Sequence, residues 1–128
     1  MAESEGIEGA ILTIDLPALV ANYERLRDRV APAELAAVVK ADAYGLGGQA
    51  LVPAPVASAC RHFFVAHLAE ALAIRPIVPA NAIIYVLNGL FADAEPICAD
   101  HAIVPVLNSL AQAHRWLALA NRRNCPLP

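Results

Sequence analysis

Val38-Val39-Lys40-Ala41-Asp42-Ala43-Tyr44-Gly45-Leu46-Gly47-Gly48 is the stretch on which the reading of this chain turns. Ala36 to Val39 are small or β-branched and run straight into a lysine, and glycines come within a few positions. That pattern predicts a buried strand ending at a functional edge. A lysine ammonium among apolar side chains is costly, and it is relieved by titration near neutral pH or by covalent reaction with a carbonyl compound. A second reading stands beside it: Lys40 snorkels from the strand end, its stem covering apolar surface and its charge in water.

Upstream of this stretch, Ala10 to Ile14 form a short apolar run that ends at Asp15, a good helix N-cap, with Pro17 in the first turn. Leu16, Leu19, Val20, Tyr23, Leu26 and Val30 then recur at helical spacing, while Glu24, Arg25, Arg27, Asp28 and Arg29 fill the opposite side. This predicts an amphipathic helix on a sheet, closed by Pro32. Downstream, Gln49 to Ala59 falls where the next helix belongs, but Pro53 and Pro55 interrupt it, so a short or broken helix is expected.

Three more strands come after it: His62 to Ala66, Ile83 to Leu87 with Asn88-Gly89 as its turn, and Ile103 to Leu107. A compact helix, His67 to Arg75, separates the first two of these. Asn108-Ser109 opens a last helix, Leu110 to Asn121, expected to present Leu110, Ala113, Leu117 and Ala120 inward. Strand and helix alternating at this rhythm require parallel pairing through right-handed crossovers. The predicted class is α/β with a parallel sheet, a loose lead-in over 1–9 and one domain over 10–128.

Of the 128 residues, 59% are hydrophobic and 16% charged, against about 45–50% and 25% in ordinary soluble domains. Such a chain has more apolar surface than it can bury by itself. The net charge of −3, with no basic cluster longer than Arg122-Arg123, argues against nucleic acid or an anionic membrane surface. The uncharged runs are broken by proline with Gly, Gln or Asn, so a membrane-spanning helix is not expected. Three cysteines without disulfide spacing, and no signal-like segment before Glu3 and Glu5, point to the cytoplasm. Cys60-x-His62 and Cys98-x-x-His101 hold zinc-capable side chains, but their spacing matches no finger or ribbon and no metal site is assigned. His67, at a strand end, is a mild candidate for lining a barrel mouth, and His114 reads as helix surface beside Trp116.

The string Val-Val-Lys-Ala-Asp-Ala-Tyr-Gly-x-Gly, residues 38–47, strongly resembles the pyridoxal-phosphate lysine motif of alanine racemases. The resemblance extends from about Ile11 to the last residues, including Glu70-Ala71-Leu72-x-x-Arg75, a structural segment beside the barrel in that family. One departure is Leu46, where many members have His. The resemblance implies a TIM-type (β/α)8 barrel, of which this chain supplies the first four βα units. Lys40 would carry pyridoxal 5′-phosphate covalently and act as one catalytic base, and Tyr44 would hold the phosphate.

The implied activity is interconversion of L- and D-alanine, supplying D-alanine for peptidoglycan, in a homodimer whose partner subunit provides the opposing tyrosine. A complete barrel needs roughly 250 residues. The resemblance therefore implies that the family's arginines for substrate carboxylate and pyridine nitrogen, most of the phosphate cup and the β domain are not expected among these 128 residues. An inactive fragment that self-associates through its open edge is expected. Three other readings stay open: a barrel-type pyridoxal-phosphate-binding protein without racemase activity, a non-enzymatic interaction module, and a degenerate fragment.

Overall fold

The computed structural model describes residues 9–128, so most of the lead-in expected over 1–9 lies outside the described residues. Helix α1 (Leu16–Val30) begins where Asp15, in extended conformation, accepts the Ala18 N–H at 2.9 Å. Strand β1 (Ala37–Val38) leads into a short helical turn, α2 (Lys40–Tyr44), then α3 (Gly48–Leu51) and α4 (Pro53–Ala57). The expected broken helix is thus two short ones, and Pro53 starts the second where its missing N–H costs nothing. β2 (His62–Val65), α5 (Leu68–Ile74), β3 (Ile83–Val86), α6 (Glu95–Asp100), β4 (Ile103–Pro105) and α7 (Leu110–Arg123) complete the order.

The four strands are parallel and stand in sequence order, β1-β2-β3-β4. Sequential order with right-handed crossovers puts every connecting helix on one side of the sheet, the arrangement of a barrel rather than a doubly wound sheet. Register confirms the sidedness. Phe63, Ile84 and Ile103 lie side by side and are fully buried, as are Val65 and Val86 in the next row. They pack with Val52, Ala71, Ile74, Leu90 and Cys98 from the crossovers into one core. The other row, Val38, Phe64, Tyr85 and Val104, is half-buried or exposed. No helix covers that face among the described residues.

Several expectations need correction. The strands are shorter than the apolar runs, because each run's last residues turn into the loop at the carboxyl end. Among the described residues both sheet edges are free, β1 as well as β4. On β4 the Val106 N–H bonds Val86 at 2.9 Å, so by strand alternation Pro105 sits in outward register, where no ladder bond is lost. On α7 Ala113 and Ala120 are half-buried as expected, but the inward side also carries Gln112, Arg115, Trp116 and Leu119, whereas Leu110 and Leu117 are 78% and 58% exposed. The reason is polar: Gln112 and Arg115 both donate to the Leu90 carbonyl, and Arg115 also pairs with buried Glu95. On α1, Leu16, Leu19, Leu26 and Val30 are exposed, and the helix leans on α4 through its other flank. Gly89 is required: its φ is +75°, and a Cβ there would meet the Gln112 amide at 2.6 Å.

Candidate active site

Lys40 is the only lysine among the 128 residues. It stands two residues after β1, at the carboxyl end of the sheet, half-buried. The backbone just beyond it is no ordinary loop. Ala41, Asp42 and Ala43 have φ of 53°, 51° and 53° with ψ of 48°, 52° and 49°, and Tyr44 has φ of 59°. These residues form a left-handed helical turn. Each L-residue in that conformation costs roughly 1–2 kcal/mol from Cβ crowding, so the run stores several kcal/mol that its surroundings must offset.

The offsets are hydrogen bonds. The Ala43 N–H donates to Val39 O at 3.0 Å, Gly45 N–H to Ala41 O at 2.8 Å and Gly47 N–H to Asp42 O at 2.9 Å. The Asp42 carboxylate accepts the Gly48 N–H at 2.7 Å. Gly47, at φ +92°, is where the chain leaves the turn, a conformation that a side chain would strain. From outside the segment comes Glu70 of α5. One of its oxygens accepts the Ala41 N–H at 3.2 Å and the other the Ala66 N–H at 2.8 Å, tying the carboxyl end of β1 to that of β2. Neither Glu70 nor Asp42 was singled out as a site residue from sequence. The signal for Glu70 was its place in the Glu-Ala-Leu segment, read there as packing.

Tyr44 closes the turn with its side chain 63% exposed. It lines an apolar groove of about 330 Å³ with Leu19, Leu26, Val38, Leu46 and Pro55, beside the free edge of β1. His67 also lies at the carboxyl end, in contact with Asn88 at 3.2 Å and stacked on Phe91 with centroids 6.4 Å apart. The zinc-capable residues are engaged in separate networks. Cys60 Sγ lies 3.3 Å from the His62 carbonyl, His62 bridges Tyr85 and Glu34, His101 Nδ1 contacts Ile97 O at 3.0 Å, and Cys98 is in the core. Burial and then the Glu95 charge push the Cys98 thiol up to about 11. Burial also raises the Tyr23 phenol far above its ordinary value, with the Cys60 contact adding to it, while its hydroxyl donates to Leu35 O at 3.0 Å.

These donors suit a phosphorylated aldehyde cofactor. A single primary amine at the strand end, able to condense with the aldehyde, and a phenol four residues on fit such a group, while the N–H groups of Ala41, Ala43, Gly45, Gly47 and Gly48 are already bonded within the protein. Sequential parallel strands, helices on one side and a lysine at the carboxyl end of the first strand define the class: the opening βα units of an α/β barrel with its chemistry at that end. The chain belongs to the alanine racemase N-terminal domain family, whose model matches residues 14–128.

An alanine racemase of Brucella abortus is 54% identical over 120 residues, 94% of this chain and 30% of that protein. Alanine racemase 3 of Salmonella typhi is 47% identical over 114 residues, 89% of this chain and 31% of that protein. The crystal structure of alanine racemase from Bartonella henselae with covalently bound pyridoxal phosphate superposes with a TM-score of 0.87 at 44% identity, covering 90% of this chain and 33% of that one. The chain thus spans about 30% of the length of the curated relatives it matches.

Proposed function

We propose that this chain is the lysine-bearing part of an alanine racemase, the protein that interconverts L- and D-alanine with pyridoxal 5′-phosphate. The observation that carries the reading is Lys40, the sole lysine, presented at the carboxyl end of β1 by a left-handed turn that ends in Tyr44. The cofactor covalently bound in the Bartonella protein supports the choice of group.

When bound, pyridoxal phosphate supplies an electron sink for charge that develops at a substrate α-carbon. Lys40 would hold it through its amine and would serve as the base that takes or returns a proton on its own side of that carbon. Tyr44 would hold the phosphate through its hydroxyl. Reversal of configuration needs a second base on the opposite face. That base comes from a tyrosine of a partner subunit, so the whole protein is a homodimer. Its place is the cytoplasm, where D-alanine is made for peptidoglycan; the free Cys60, Cys98 and Cys125 support a reducing compartment.

Two measurements test this reading. The chain is mixed with pyridoxal phosphate, reduced with borohydride and digested. A cofactor mass on the Lys40 peptide, absent in Lys40→Ala, is expected, and an unlabelled Lys40 overturns the assignment. The same chain alone, with saturating cofactor, is expected to form no D-alanine above background. Loss of one catalytic member commonly costs orders of magnitude.

A further inference from the structure

The left-handed turn after Lys40 is the most strained segment among the described residues, with four consecutive L-residues at positive φ. A segment of that kind persists only where its surroundings fix it. Bonds within the segment close the turn upon itself but do not set its direction relative to the sheet. That direction is set where the turn meets other elements. β2 holds one side through the Val39 N–H, which donates to Phe64 O at 2.9 Å. Glu70 holds the next peptide.

The Ala41 N–H belongs to the same peptide plane as the Lys40 carbonyl. Fixing that N–H therefore fixes the rotation about the Lys40 backbone and, with it, the direction in which the lysine side chain leaves. The carboxylate does this with one oxygen at 3.2 Å while its other oxygen is anchored at 2.8 Å on the Ala66 N–H, at the end of β2. Two donors meeting one ionised carboxylate satisfy both lone-pair sets, and each bond gains from the charge. Glu70 is itself half-buried on α5, which packs on β2 and β3, so the anchor is built on rigid elements.

We propose that Glu70 is a positioning residue for Lys40: its carboxylate spans the carboxyl ends of β1 and β2 and locks the left-handed turn in the orientation from which the lysine amine reaches the cofactor. The proposal rests on the reading of Lys40 as the cofactor lysine. A neutral amide of the same shape separates charge and bond count from packing. Glutamine has a single acceptor oxygen and turns an NH₂ toward the second N–H, leaving two donors facing each other.

The test compares the wild-type chain with Glu70→Gln and Glu70→Asp, the latter keeping both acceptor oxygens on a shorter stem. Hydrogen exchange, monitored by mass spectrometry on peptides covering 39–46 and 83–87, reads the turn against the core. Borohydride trapping over a titration of pyridoxal phosphate reads the lysine. E70Q is expected to speed exchange in 39–46 at least tenfold with 83–87 unchanged, and to weaken labelling of Lys40 at least tenfold; E70D is expected to restore part of both.

Unchanged exchange in 39–46 overturns the clamp. Faster exchange with unaltered labelling overturns its positioning role. If E70Q also loosens 83–87, E70D decides: recovery of slow exchange in 39–46 and of labelling, or a loss confined to 39–46, supports the proposal, and loosening of 83–87 as great as that of 39–46 overturns it. A wild-type chain that leaves Lys40 unlabelled refutes the cofactor reading instead, and the exchange in E70Q still judges the clamp by itself.

Discussion

The two faces of the sheet are built from the same strands, one residue out of step, and they differ in almost every physical respect. Ala37, Phe63, Ile84 and Ile103 form a row that the helices seal, with the last three fully buried. Val38, Phe64, Tyr85 and Val104 form the adjoining row on the uncovered face. There Phe64 and Tyr85 stack at 4.4 Å and 12°, and His62 carries hydrogen bonds to Tyr85 and Glu34. The sealed face supplies the fold's buried core, while the open face is left uncovered among the described residues. A side chain's worth here depends on parity along the strand more than on its own hydrophobicity.

The largest effect expected from this difference is on assembly. A 128-residue chain with an uncovered aromatic and aliphatic row and two free edges is expected to self-associate or to bind a hydrophobic dye. Sedimentation and dye fluorescence across a concentration series check this. A monomeric, dye-silent chain would mean that the open row is covered after all.

Next comes stability. Phe63→Ala is expected to cost about 3–5 kcal/mol, as for a buried aromatic ring, and Val104→Ala on the other row less than about 1 kcal/mol. Urea midpoints for both variants decide it, and equal losses would break the contrast between the faces.

A smaller effect sharpens the picture at the rim of the sealed side. Glu95 is buried; burial alone would raise its carboxyl, but the Arg115 bond and charge together with backbone hydrogen bonds from Glu95 and Asp93 outweigh it and hold the group below its ordinary value. A depressed carboxyl contributes stability that is present above the ordinary carboxylate range and lost as pH falls through the folded value. Arg115→Ala is expected to cost about 2 kcal/mol near neutrality, under the ~3–5 of a fully buried pair because Arg115 is partly exposed. The acid dependence should also weaken, since the Arg115 bond and charge that help to lower the carboxyl are then gone while the backbone bonds remain. Thermal melts from about pH 6 down to about pH 2.5 read both, a window that spans the ordinary carboxylate pKa and the range below it.

The layout of strands was legible because β-branched runs such as Ile83-Ile84 and Ile103-Val104 admit few alternatives, and their spacing enforces crossovers. The lysine and tyrosine were legible as a motif. The inward side of α7 was misread because Leu110 and Leu117 outweigh Gln112 and Arg115 on any hydrophobic count, whereas the Leu90 carbonyl and the Glu95 carboxylate needed donors. Helix α6 escaped notice although Glu95-Pro96 is a fair helix start. The left-handed turn had no local signal at all. Alanine disfavours that conformation; backbone bonds within the segment close the turn, and an acid on α5, 29 positions away from the amide it accepts from, bonds it from outside.

That turn also inverts the usual rule of chirality for a short stretch of the chain. At Ala41 and Ala43 the backbone occupies the region natural to mirror-image residues, so a semisynthetic chain carrying D-alanine at either position would relieve crowding rather than create it, by roughly 1–2 kcal/mol per site. In any ordinary helix of this molecule the same exchange would do harm.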